Sequence, residues 1–182
     1  MPDVCQAAPE PSAWVVRHAK NIPSGGTVLD LACGSGRHAR LLCGLGHSVL
    51  ATDIDLGRVK DLEGQSEIEL WQTDLEQDSW PFEEKQFTGI VVTNYLHRPH
   101  LGKLADCLTD SGILIYETFA AGNEKYGKPS NPNYLLQPGE LLQVFGARLD
   151  VVAFEQGLVH EPGPKVVQRL CARQQAVAHR GR

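Results

Sequence analysis

The segment Thr27 to Gly36 constrains this chain more than any other. A β-branched and aliphatic run, Thr27 to Leu31, stops at a glycine-rich turn, Cys33-Gly34-Ser35-Gly36. The next apolar residues, Ala39, Leu42 and Leu45, recur at helical spacing until Gly44 and Gly46 interrupt them. An extended run, glycine punctuation and then a spacing of three to four is the pattern of a strand turning tightly into a helix. The reading is a strand over Thr27–Leu31 and a helix of about three turns, the opening half of a βαβ unit.

The alternation continues. Ser48–Thr52, Ile68–Gln72, Gly89–Thr93 and Gly112–Tyr116 read as four more strands. Leu56, Val59 and Leu62 predict a short helix beginning after Asp55, and Pro99 opens a helix with Leu101, Leu104, Ala105 and Leu108 on one face. From Glu76 to Thr88 the Trp80-Pro81-Phe82 stretch has no helical period, so an irregular cover is expected. Past a short helix over Pro138–Phe145, the runs Asp150–Glu155 and Val166–Ala172 are strands with no helix between them, hence a hairpin. These elements predict a doubly wound α/β sheet of seven strands, mostly parallel with an antiparallel C-terminal hairpin, and helices on both faces. At 182 residues the chain is expected to be one domain, 1–182. Within it lie a helical segment over 1–22 carrying Trp14 and Val15, a long loop over 120–137 and a flexible tail over 174–182.

Composition removes several classes of function. The longest apolar runs, such as Ile113–Tyr116, are four residues, against about 20 for a membrane span. Met1 to Pro11 lacks the layout of a secretory signal, so a cytoplasmic location is expected. Five scattered Cys with no C-x-x-C pair argue against a disulfide scaffold and against zinc, and no metal is expected. The net charge of −5 gives no global attraction to nucleic acid. Charge is uneven, however: Lys165, Arg169, Arg173, Arg180 and Arg182 stand without an acid from Pro162 onward, which keeps RNA as a minority partner.

In open α/β sheets, ligands bind beyond the carboxyl ends of the strands where strand order reverses. The turn after the first strand, Asp30 to Gly36, marks that place. Gly34-x-Gly36-x-x-Ala39 satisfies a dinucleotide fingerprint, and Asp53, 19 residues after Gly34, stands where an acid holds a ribose diol. Both NAD and S-adenosylmethionine fit so far. Asp30 suits the ammonium of a methionine moiety and repels a pyrophosphate. Asp74, just after the third strand, can accept from an adenine amino group. The closing hairpin is also unusual for a dinucleotide domain.

The ordered set V-L-D-L-A-C-G-S-G-R at Val28–Arg37, A-T-D-I-D at Ala51–Asp55, T-D-L at Thr73–Leu75, W-P-F-x(4)-F at Trp80–Phe87, V-V-T-N-Y at Val91–Tyr95 and G-I-L-I-Y-E-T-F at Gly112–Phe119 resembles a class I S-adenosylmethionine-dependent methyltransferase. The resemblance implies a Rossmann-like fold, S-adenosylmethionine as cofactor and S-adenosylhomocysteine as product. It implies that Gly34 and Gly36 with Asp30 hold the methionine portion, and that Asp53 takes the ribose hydroxyls with Ile54 against the ring. It further implies that Asp74 with Leu75 reads the adenine and that Asn94 lies beside the sulfonium. Ala32 replaces the commonest glycine of the turn, and Thr88 stands where an Asp usually precedes the fourth strand.

Groups that act on the acceptor are expected after strands four and five. Glu117 is the leading candidate base, followed by His97 and Tyr95. The loop 120–137, rich in Gly, Asn, Pro and Tyr, is expected to cover the acceptor. With no appended recognition module, a small-molecule acceptor is expected. Arg17 and His18 either reach the cofactor carboxylate or belong to an ordinary packing helix. Two rivals stand beside methyl transfer: a short NAD-dependent oxidoreductase, for which no Tyr-x-x-x-Lys pair is present, and a non-catalytic cofactor-binding module.

Overall fold

The computed structural model describes residues 9–176. Its strands are β1 (Thr27–Leu31), β2 (Ser48–Asp53), β3 (Ile68–Gln72), β4 (Phe87–Thr93), β5 (Leu108–Phe119), β6 (Leu149–Val159) and β7 (Lys165–Gln174). They form one sheet in the order β3-β2-β1-β4-β5-β7-β6. Neighbours from β3 through β5 pair in parallel, and β7 alone runs against the rest, since it is antiparallel to both β5 and β6. The expected seven-stranded doubly wound sheet with its terminal hairpin is therefore the fold. The hairpin tail over 177–182, with Arg180 and Arg182, lies outside the described residues.

Alternate side chains on each strand point to opposite faces and so build two cores. One face is covered by α1 (Ala13–His18) and α2 (Arg37–Gly44), whose Trp14, Val15, Ala39 and Leu42 pack on Val28, Val91, Ile113 and Ile115. The other is covered by α3 (Arg98–Leu101), α4 (Lys103–Asp106), α5 (Glu140–Phe145) and the irregular Trp80–Phe82 stretch, packed on Leu29, Val92, Leu114 and Leu170. Trp80 and Phe82 are buried, as the absence of a helical period there implied.

Three local expectations need correction. The helix after the glycine turn has eight residues, nearer two turns than three. After Asp55 only a 3₁₀ turn, Lys60–Leu62, forms, because the Asp55 carboxylate accepts from the Gly57 N–H at 2.8 Å and competes with a helical start. The helix after Pro99 is two four-residue pieces, and Leu108 already belongs to β5.

Candidate active site

The chain leaves β1 through Ala32, Gly34 and Gly36, all in the left-handed region with φ of 54°, 55° and 70°. Gly36 is required by packing: a Cβ there would meet Val59 Cγ1 and Arg40 Nη1 at 2.8 Å. Gly34 differs, since a Cβ on it would meet nothing within 4 Å, and it lines the cleft above the turn. The turn is tied to β2 twice. The Cys33 N–H donates to the Thr52 carbonyl at 2.9 Å, and the Gly34 N–H donates to Asp53 Oδ2 at 2.8 Å. Asp53 Oδ1 accepts from the Asp55 N–H at 3.1 Å, so its carboxylate is held rigidly at the strand end with lone pairs still free toward the cleft.

That cleft has a volume of about 600 Å³ and opens beyond the carboxyl ends of β1 and β4, the neighbours between which the strand order reverses. Of the nine residues expected to bind cofactor, Ala32, Gly34, Asp53, Ile54, Asp74, Leu75 and Asn94 line it. Ile54 is 62% exposed, an apolar side chain left bare at a polar mouth and suited to a flat ring. Asn94 is in the left-handed region (φ 55°), a conformation Asn tolerates, and its N–H donates to the Glu117 carbonyl at 2.9 Å.

Asp30 and Gly36 do not line the cleft. Asp30 lies beneath the turn, 1% exposed, with one carboxylate oxygen lacking a partner and an accepted hydrogen bond from the Ala39 backbone. Burial pushes its pKa up to about 7, so the expected charged group facing an ammonium is instead a buried acid. Sequence reasoning missed Arg37, Arg58 and Glu76, which also line the cleft. The signal for Arg37 was its place directly after Gly36. Arg17 ion-pairs with Glu155 at 3.0 Å, and His18 is packed beneath Trp14, so α1 is a packing helix. Burial pushes the Cys33 thiol up to about 12, which leaves it protonated and inert.

The three candidate bases separate. Tyr95 lines the cleft, and its buried hydroxyl has no partner. His97 faces His100 at 4.9 Å between ring centroids and does not line the cleft. Glu117 is 1% exposed: Oε2 accepts from Arg169 Nε at 2.5 Å, Oε1 accepts from Ser12 Oγ at 3.1 Å, and Lys165 Nζ stands 3.9 Å away. Ser12 also donates its N–H to His38 Nε2 at 3.1 Å, and Thr93 Oγ1 lies 3.4 Å from His38 Nδ1. Glu117 thus anchors the start of α1 to the sheet.

A second cleft of about 310 Å³ adjoins the first. Glu76, Asn94 and Tyr95 line both, and Leu96, Thr118, Phe119, Pro129 and Tyr134 complete the second. The loop 120–137 therefore contributes two walls of it. The loop contains two 3₁₀ turns, Asn123–Lys125 and Pro132–Tyr134, and is pinned at both ends. Buried Asn123 accepts from the Val166 N–H and donates to the Pro129 carbonyl, each at 3.1 Å. Arg98 donates to the carbonyls of Asn133 and Leu135 at 2.7 and 2.8 Å and ion-pairs with Glu140 at 2.7 Å.

Residues 28–112 match the family model described as a methyltransferase domain. The matched segment runs from β1 into β5 and includes every residue that lines the first cleft except Pro9. The match implies S-adenosylmethionine as cofactor, and the donor set fits it: two strand-end carboxylates, a bare apolar side chain, two guanidinium groups and an open glycine turn. Among solved structures, TehB from Haemophilus influenzae is 20% identical with a TM-score of 0.70, covering 88% of this chain. This chain spans only 61% of TehB. An S-adenosylmethionine-dependent methyltransferase from Methanosarcina mazei is 13% identical with a TM-score of 0.69, covering 92% of this chain and 100% of its own. The N-methyltransferase NodS from Bradyrhizobium japonicum is 16% identical with a TM-score of 0.66, covering 88% and 92%. These likenesses are of fold. No curated protein matches the chain in sequence. Among the described residues, no cluster of three or more His, Cys, Asp or Glu could hold a metal, and no helix is long and apolar enough to cross a membrane.

Proposed function

We propose that the protein transfers the methyl group of S-adenosylmethionine to a small-molecule acceptor bound in the second cleft. The supporting observation is continuity: Glu76, Asn94 and Tyr95 form the wall common to the two clefts. S-adenosylmethionine would supply an electrophilic methyl group, to which a lone pair of the acceptor would bond in line as the carbon–sulfur bond breaks and S-adenosylhomocysteine leaves. The chain's own residues hold and align. In this reading Asp53, fixed by the Gly34 N–H, takes the ribose hydroxyls, Asp74 reads the adenine amino group, and Arg37 and Arg58 meet the carboxylate. Burial and the carboxylates of Glu76, Asp74 and Asp53 raise the Tyr95 pKa, so its phenol stays protonated and acts as a hydrogen-bond donor rather than a base. Glu76 is the carboxylate positioned to accept a proton from the nucleophile. Glu117 acts at one remove, holding Asn94 through its carbonyl, and His97 supports the loop after β4.

Calorimetric titration of S-adenosylhomocysteine and NAD into wild type and Asp53→Ala tests the reading, with methyl transfer from labelled cofactor measured over an acceptor panel. The expected result is S-adenosylhomocysteine binding weakened at least tenfold in the variant, no NAD binding, and transfer. Binding of NAD alone overturns it. Cofactor binding without transfer to any acceptor favours the non-catalytic module.

A further inference from the structure

A third cavity, of about 330 Å³, lies between the loop 120–137 and the tip of the β6–β7 hairpin. Phe119 lines both this cavity and the second cleft, so the cofactor cleft, the second cleft and this cavity form one series joined by shared side chains. Its charged residues are Lys128 and Lys165, and no carboxylate lines it. Lys165 Nζ stands 5.9 Å from the centroid of the Phe119 ring. The one acid near Lys165 is Glu117, at 3.9 Å, and that carboxylate is already met by Arg169 at 2.5 Å and by Ser12. Lys128 makes no ion pair among the described residues.

The charge along the series reverses. The cofactor end carries Asp53, Asp74 and Glu76 against Arg37 and Arg58, whereas the far end carries two ammonium groups and no carboxylate, in a molecule whose net charge is −5. With Arg37 and Arg58 assigned to the cofactor carboxylate, the cations left for a second anion are those at the far end, and Glu76 on the shared wall disfavours an anion there, which fixes the direction in which an asymmetric molecule lies. We propose that the acceptor carries an anionic group, a carboxylate or a phosphate ester, seated between Lys128 and Lys165 across Phe119 from the atom that is methylated. This inference rests on the methyl-transfer reading above and adds the substrate class.

The test uses full-length protein saturated with S-adenosylhomocysteine, with binding of that ligand verified by calorimetry in the same samples. Phenyl phosphate, benzoate and neutral phenol are titrated while backbone amide shifts are followed by NMR. One of the two anionic probes is expected to saturate with shifts at Gly127 and Gly163 that extend to Thr118 and Phe119, at least tenfold more tightly than phenol. In Lys128→Gln/Lys165→Gln that preference is expected to fall at least tenfold while S-adenosylhomocysteine affinity stays within twofold, which also shows the variant is folded. Tighter phenyl phosphate identifies a phosphate ester, and tighter benzoate a carboxylate. Anionic probes that bind no better than phenol, an unchanged preference in the double variant, or shifts that stop at Gly127 and Gly163 overturn the inference and leave methyl transfer standing. Failure to bind S-adenosylhomocysteine overturns both.

Discussion

Asp30 and His38 lie in the same buried layer beneath the glycine turn and titrate in opposite senses. Asp30 has its pKa raised from 3.8 to about 7 by burial, so the folded protein keeps a proton that the unfolded chain releases. Its contribution to stability is complete below pH ~4 and is lost as pH rises toward 7. His38 has its pKa lowered from 6.5 to about 3, first by burial and then by Arg37, so its contribution is complete above pH 6.5 and is lost as pH falls. Between about pH 4 and 6.5 the two slopes, each about 1.4 kcal/mol per pH unit, oppose one another. Urea denaturation of Asp30→Asn across this range is expected to show stability rising with pH more steeply than in wild type. At pH 8 the variant is expected to be the more stable by up to about 4 kcal/mol; parallel profiles would contradict this. Glu117 offers a second residue-level test. Removing it leaves the Arg169 guanidinium, whose side chain is 14% exposed, without its main partner. Glu117→Ala is expected to lower the unfolding free energy by about 3–5 kcal/mol, read from the urea midpoint. The sequence marked both acids as important, but it gave no measure of their depth in the sheet. Depth is what turns Asp30 into a protonated core residue and Glu117 into an anchor.

At the scale of elements, the loop 120–137 depends on Arg98, which holds two of its carbonyls and Glu140 at once. Arg98→Ala is expected to raise KM for the acceptor at least tenfold while S-adenosylhomocysteine affinity stays within twofold, since the cofactor cleft contains no residue of that loop. Steady-state kinetics beside calorimetry decide it. The strands were legible because apolar runs such as Ile113–Tyr116 have no other stable use in a doubly wound sheet. What hid was an extension: β5 begins at Leu108, which pairs with Phe87, and Thr109, Asp110 and Ser111 form an irregularity before Ile113 pairs with Gly89, their polarity reading as loop. Leu108 also continued the helical spacing of Leu101 and Leu104, so periodicity assigned it to the wrong element. The anchoring of the loop was illegible for a different reason. Asn123 and Arg98 act through backbone carbonyls and amides, which leave no trace in residue type.

For the whole molecule, ligand binding and folding are linked. S-adenosylhomocysteine at 100 times its Kd adds about 2.7 kcal/mol to stability. In a domain of this size that is a rise in Tm of roughly 5–10 °C. Differential scanning calorimetry is expected to show this shift in wild type and little of it in Asp53→Ala. That seven of the expected residues share the first cleft was readable because they follow consecutive strand ends in chain order, from Ala32 to Asn94. The second cleft is lined by Glu76, Phe119, Pro129 and Tyr134 among others, which only the fold brings together. The reversed strand β7 has a consequence for biosynthesis. It is inserted between β5 and β6, and Trp14 Nε1, near the start of the chain, donates to the carbonyl of Leu170 within it at 3.3 Å. At about 5–20 residues per second, the ribosome makes β5 several seconds before its outer neighbour exists. During that interval Ile113 to Tyr116, all buried in the finished sheet, have a bare edge, and the nascent chain needs shielding until the final strand emerges.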